Sequence, residues 1–194
     1  SMTDRREDNR GKKIVFVSSC LLNTNNKVRG LARYSGMCRE VFDTLCDYGL
    51  GIQQMDCPET LYLGIQRWWY TKNLYDCRGF RDHCRQCAER AVTYMEEYAR
   101  AGYQVVAILS CDGSPTCGVT ITSYDTNWGG SPVELSYNDA IVQGKGVYIE
   151  ELEQAIRDRG LEIPPFYGLA LDDESVDLDR IIKDFRAFIQ SVCG

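Results

Sequence analysis

With 194 residues, 44% of them hydrophobic and 26% charged, the chain has material for one compact domain with a full core. Its apolar runs fall far short of the roughly 18 residues that a membrane span needs, so no membrane partner is expected. The net charge of −6, without a block of basic residues, argues against a broad nucleic-acid footprint.

The start, SMTDRREDNRGKK, is polar and charged, and no export leader is legible in it. Ser1 before Met2 reads as a tag remnant. Residues 1–12 are expected to be a disordered tail ahead of a single domain over 13–194. These features predict a cytoplasmic protein that acts on a small molecule, and a homo-oligomer is compatible with them.

In chain order, the apolar run from Lys13 to Ser19 predicts a buried strand that ends at Cys20. The segment LLNTNNKVRGLARYSG is too polar to pack as an element, and loops of that length in compact domains are usually functional. A helix is expected from Cys38 to Tyr48, with Val41, Phe42, Leu45 and Cys46 on one face and Gly49 as its stop. A second strand, Leu50 to Met55, leads into Asp56-Cys57-Pro58-Glu59. Residues 60–80 are aromatic without a clean period and read as loop with a short strand or turn.

Arg81 to Ala101 has the apolar stripe of a helix, and Val105 to Ser110 that of a third buried strand. That strand stops in CDGSPTCG. Residues 119–146, including Trp128-Gly129-Gly130-Ser131-Pro132, read as an excursion over the strand ends. A helix from Val147 to Arg159, a short strand from Phe166 to Leu171 and a helix from Leu178 to Val192 complete the chain. This alternation predicts an α/β protein of three layers: a mostly parallel sheet of four or more strands with helices on both faces, Rossmann-like.

Ten cysteines beside a single histidine, His83, exclude the usual zinc-enzyme ligand sets. With no export signal, the cysteines point to metal or redox chemistry, and a metal would be held mainly by sulfur, as zinc or an iron–sulfur cluster. Three strands run into Cys20, Cys57 and Cys117. If those strands are neighbours, their carboxyl ends lie about 5–10 Å apart, where ligands of open α/β sheets bind. Three thiolates from three loops suit a cluster with one iron left open. The competing reading is three inert, buried thiols.

Other residues carry weaker signals. Cys77, His83, Cys84 and Cys87 could form a zinc set or a redox pair, but a continuous helix through them favours ordinary packing. Cys111 reads as a fourth ligand, a sulfur relay or a packed strand-end thiol. Trp68, with Trp69 and Tyr70, could stack on a flat heterocycle. Arg29, Arg33 and Tyr34 could bind an anionic or ring substrate. Neither nucleotide-binding glycine motif is present.

In order, SSCLLN, ARYSG, CPE and SPTCG resemble the 2-thiouracil desulfidase (TudS) family over roughly residues 13–155. The resemblance implies a 4Fe-4S cluster on Cys20, Cys57 and Cys117, with acid–base work by Glu59 and Ser114. The chain departs from the family in three places. ETLYLGIQRWWY stands where Gly-Gly-Leu and Pro-Arg are usual. Cys111-Asp112-Gly113 replaces the lysine before SPxCG, and NTNNKVRGLA splits the first motif. The expected function is hydrolytic desulfuration of a thiolated small molecule such as a thiopyrimidine. The alternative is a non-catalytic protein whose cysteines bind structural zinc or sense redox state.

Overall fold

The computed structural model describes residues 7–129 and 133–194. Its centre is a four-stranded, all-parallel sheet in the order β2-β1-β3-β6, formed by Gly51–Met55, Lys13–Ser18, Gln104–Cys111 and Phe166–Leu169. Strands β1 and β3 lie inside the sheet with helices over both faces. Val15, Phe16, Val17, Ile108 and Leu109 are therefore completely buried. Each such side chain contributes about 1.5–3 kcal/mol on leaving water, which explains the unbroken apolar runs of these two strands.

The strand order fixes the layers. From β1 the chain passes through α2 (Arg39–Asp47) to β2 on one side, then crosses through α5 (Arg78–Arg100) to β3 on the other. Right-handed crossovers in opposite directions put α2 and α5 on opposite faces. The third crossover, α7 (Val147–Asp158), runs the same way as α5 and packs against it, whereas α8 (Leu178–Cys193) packs against α2. Helix α5 buries Phe80, Cys84, Cys87, Ala88, Ala91, Val92 and Met95, spaced as one face of a helix. The expected three-layer α/β fold is the observed one. The reversal of strand order falls between β1 and β3, and there the carboxyl edge opens a crevice.

Shorter elements escaped the periodicity. Residues expected to be loop hold α3 (Pro58–Leu63) and α4 (Lys72–Tyr75). Pro58 sits in the first turn of α3, where its missing N–H costs nothing. Helix α1 (Ser19–Leu22) caps β1, and a 3-10 turn at Thr24–Asn26 organises the loop behind it. The excursion over 119–146 contains a two-stranded antiparallel ladder, β4 (Ile121–Ser123) with β5 (Ile141–Gln143), joined by way of α6 (Tyr137–Ala140). Elements of three to six residues are too short to show a period; tertiary contacts hold them.

Of the expected tail, residues 1–6 lie outside the described residues, as do Gly130, Ser131 and Pro132. Residues 7–12 form no helix or strand, yet Arg10 donates to the Tyr103 hydroxyl and the Lys12 carbonyl accepts from Gln104 N. No helix among the described residues is long and apolar enough to cross a membrane.

Candidate active site at the carboxyl edge of the sheet

Strands β1 and β3 are joined at their carboxyl ends by two buried hydroxyls, Ser18 Oγ and Ser110 Oγ, 2.8 Å apart. Ser110 also donates to the Cys117 carbonyl at 2.7 Å, which draws the loop after β3 back over the sheet edge. Asp112 holds the far side of that loop, its Oδ1 accepting from the backbone N–H groups of Val119, Thr120 and Ile121. A side chain at Gly168 would place its Cβ 2.2 Å from the Asp112 carboxyl carbon, so β6 needs glycine there. Gly146 likewise lets α7 start against the Thr116 backbone, where a Cβ would come within 2.2 Å.

These supports bring the cysteines together. Cys20 lies in the first turn of α1, Cys57 precedes α3 with its sulfur accepting from Thr60 N at 3.4 Å, and Cys117 lies in the loop after β3. All three line one cavity, and Cys111, Glu59 and Ser114 line it too. Counting its mouth, the cavity has about 520 Å³ of empty space.

One wall is built on Glu59, which is buried. Its Oε1 accepts from Arg67 Nε at 2.9 Å and from the Tyr75 hydroxyl at 3.1 Å, while its Oε2 accepts from Thr116 Oγ1 at 2.6 Å. Arg67 is itself buried and also donates to the carbonyls of Gly64 and Asn26. Burial alone would lower its pKa, but the Glu59 carboxylate outweighs this and raises it. Burial, reinforced by Glu59, pushes the Tyr75 hydroxyl far up. Ser114 Oγ accepts from the backbone N–H groups of Thr116 and Cys117 and stands 3.1 Å from Thr116 Oγ1. Because a carboxylate can only accept, Thr116 donates to Glu59 and its oxygen is left to accept from Ser114.

The opposite wall holds a second buried ion pair. Lys27 Nζ lies 2.5 Å from Asp172 Oδ1 and 3.5 Å from Cys111 Sγ, and the Cys111 thiol donates to Asp172 Oδ2 at 3.5 Å. Burial opposes the charge on Lys27, but Cys111, Cys20 and Asp172 around it raise its pKa well above the usual range. A hydrogen bond from Cys111 outweighs burial at Cys20 and, with Lys27 nearby, brings that thiol down to about 7. The same hydrogen bond, with burial, pushes the Cys111 thiol up. Burial is the main cause that raises Cys57 and Cys117.

The aromatic residues divide by depth. Trp69 lines the cavity, with ring centroids 5.5 Å from Trp128 and 6.0 Å from Tyr137. Trp68 is 64% exposed and, with Arg29, lines an outer groove that shares Lys27, Arg67 and Trp69 with the cavity. Arg33 and Tyr34 do not line the cavity. Arg33 is turned to the Gly30 carbonyl and Glu174, and Tyr34 is fixed where Thr24 Oγ1 donates to its carbonyl.

Sequence reasoning missed Thr116, Arg67, Tyr75 and Asp172. Two signals were available: an arginine embedded in the aromatic run IQRWWY, and an acidic pair just beyond the fourth strand, at the same sheet edge as the cysteines.

The donor set bears on which metal group could be held. Sulfurs around one zinc stand roughly 4 Å apart, given Zn–S bonds of about 2.3 Å. Among the described residues no three His, Cys, Asp or Glu side chains are grouped to hold a metal ion. Of Cys77, His83, Cys84 and Cys87, His83 Nε2 and Cys87 Sγ lie 3.8 Å apart, but Cys77 is exposed, Cys84 is packed in the core, and His83 Nε2 pairs with the Pro58 carbonyl at 2.8 Å. Cys20, Cys57 and Cys117 line one cavity, and three thiolates are a donor set of the kind that holds iron–sulfur clusters.

No family profile matches the chain, and no solved structure matches it. It is 37% identical to the uncharacterized protein MJ0003 of Methanocaldococcus jannaschii over 110 residues, which make up 57% of this chain and 70% of the archaeal one. On that coverage the chain belongs to the family of this archaeal protein.

Proposed function

We propose that the chain is an iron–sulfur-dependent desulfidase that replaces the sulfur of a thiolated small molecule, such as a thiopyrimidine, with oxygen from water. It would work in the cytoplasm, where thiols stay reduced. One observation carries the reading: Cys20, Cys57 and Cys117, from three separate strand ends, line a single cavity together with Glu59 and Ser114. The resemblance of SSCLLN, ARYSG, CPE and SPTCG to the thiouracil desulfidases supports it.

Cys20, Cys57 and Cys117 would hold a 4Fe-4S cluster. Bound there, such a cluster supplies a soft Lewis acid for a thiocarbonyl sulfur. The chain's own residues handle water and protons. Glu59 Oε2 carries one hydrogen bond against two on Oε1, so Oε2 is the oxygen with capacity to take a proton from water. Arg67 and Tyr75 fix the orientation of that carboxylate. Ser114 reaches it through the Thr116 hydroxyl, so proton relay between serine and glutamate runs by way of Thr116. Trp69 and Tyr137 stand in the cavity wall. In balance, C=S and H₂O become C=O and H₂S, with no net redox.

The test is iron and sulfide analysis of protein purified without oxygen, beside Cys57→Ser, followed by conversion of 2-thiouracil to uracil. About four irons per chain, lost in the variant, and sulfide release are expected. A colourless wild type after anaerobic reconstitution would overturn the reading, and full activity in Glu59→Gln would overturn the role of Glu59.

A further inference from the structure

Two polar groups in the cavity wall have no part in the mechanism above. Trp69 lines the cavity, yet its Nε1 is buried without a hydrogen-bond partner among the described residues. An indole N–H can only donate, and when buried it normally finds an acceptor. An orphaned donor on a residue that lines a cavity calls for a partner that the protein itself does not supply.

Tyr137 stands beside it, the two ring centroids 6.0 Å apart, and lines the same cavity. Its hydroxyl makes no hydrogen bond among the described residues. That oxygen rests over Gly113, where a Cβ would come within 2.2 Å of it. Gly113, whose φ is +87°, thus turns the chain ahead of Ser114 and leaves room for the phenol. Trp69 is packed on its other neighbour, Trp128, at 5.5 Å between centroids.

The charges that line the cavity are already matched, Glu59 with Arg67 and Lys27 with Asp172. A ligand bringing its own charge would find no free counter-charge on these walls. What is left over is neutral: one N–H and one O–H. A carbonyl oxygen has two lone pairs and can accept from both.

We propose that Trp69 and Tyr137 bind the substrate through a ring carbonyl, the indole N–H and the phenol O–H both donating to its oxygen. The substrate is then a neutral, flat heterocycle with a carbonyl besides the thiocarbonyl that reacts. The naming of a thiocarbonyl rests on the desulfidase reading; the carbonyl site does not. Its effect is selection. A heterocycle without that carbonyl leaves both donors unpaired in the occupied cavity, and sites built to hydrogen-bond a group discriminate well against analogues that lack it.

The test is equilibrium dialysis of uracil and of pyrimidin-2-one, which lacks the second carbonyl, against the full chain freed of metal. Wild type should hold uracil roughly 10-fold more tightly than pyrimidin-2-one. Tyr137→Phe and Trp69→Phe should each weaken uracil roughly 3–10-fold and leave pyrimidin-2-one unchanged. Tyr137→Phe removes an oxygen that bonds no described residue, so its Tm should match that of wild type, and it decides the proposal if Trp69→Phe folds poorly. No uptake of uracil by wild type, equal affinity for the two ligands, or wild-type affinity for uracil in Tyr137→Phe would overturn the inference. A loss that is the same for both ligands would overturn it too. The desulfidase reading is judged separately, by iron, sulfide and turnover: a chain that selects uracil in this way but holds no iron keeps the carbonyl site and loses the cluster.

Discussion

Thr116 Oγ1 donates a 2.6 Å hydrogen bond to Glu59 Oε2, joining the loop after β3 to the first turn of α3 across the cavity. Both groups are buried, so the bond is made to a charge screened little by water. It is also the sole hydroxyl step between Ser114 and Glu59 among the described hydrogen bonds.

Thr116→Val keeps the shape and deletes the donor. Losing a hydrogen bond to a charged group costs about 2 kcal/mol. For a chain of this size that is a fall in Tm of about 4–8 °C, read by thermal denaturation. If proton relay runs through Thr116, desulfuration falls roughly 100-fold in Thr116→Val, while Thr116→Ser keeps most of it. Equal activity in both variants would show that Ser114 does not act through this residue.

The Glu59–Arg67 pair is a buried ion pair whose two side chains are 8% and 4% exposed. Arg67→Met strands the carboxylate and should lower stability by about 3–5 kcal/mol. The double variant Arg67→Met, Glu59→Gln removes both charges and should recover much of that loss. Urea titrations of the two proteins test this. If the double variant is no more stable than the single one, the cost lies in the other hydrogen bonds of Arg67, to the Thr60 hydroxyl and to the carbonyls of Gly64 and Asn26.

Cys20 should be the most acidic of the cavity thiols. Its hydrogen bond from Cys111, aided by Lys27, brings it to about 7, whereas burial raises Cys57 and Cys117. The thiolate is the nucleophile, so alkylation of Cys20 by iodoacetamide in the metal-free chain should accelerate as pH rises through about 7. Cys57 and Cys117 should stay slow at pH 8. Cys111→Ala and Lys27→Met each remove an influence that lowers the value, so both should move the Cys20 profile to higher pH. Peptide mapping of the labelled chain gives the rates.

Gly168→Ala puts a Cβ against a carboxylate that three backbone N–H groups hold in place. Overpacking of this kind costs about 1–3 kcal/mol. Because Asp112 anchors the loop that carries Cys117, the same substitution should lower iron uptake. Gly160→Ala is a useful contrast: its Cβ meets nothing within 4 Å, although its φ of +70° is strained for alanine. It should lower stability without lowering iron uptake.

How much could be read without coordinates differs from element to element. Strands β1 and β3 were legible from their unbroken apolar runs, helices α2, α5, α7 and α8 from their period, and the short strands β2 and β6 from their places between helices and turn residues. The unbroken run VVAIL marks a strand covered on both faces, and the spacing from Phe80 to Met95 marks a helix covered on one. Helix α3 was hidden because its six residues combine a buried start, Pro58-Glu59, with an exposed Leu61-Tyr62-Leu63, which has no period.

The sequence by itself determined the layered α/β fold and the three cysteines at strand ends, because both are written in local runs and in their order. Only the tertiary structure decided which polar residues meet them. Arg67, Tyr75 and Thr116 reach Glu59 across separations of 8, 16 and 57 residues, and Lys27 meets Asp172 across 145. No local pattern encodes such pairings. They exist because a parallel sheet delivers the carboxyl ends of distant strands to one edge, where buried charges must find partners.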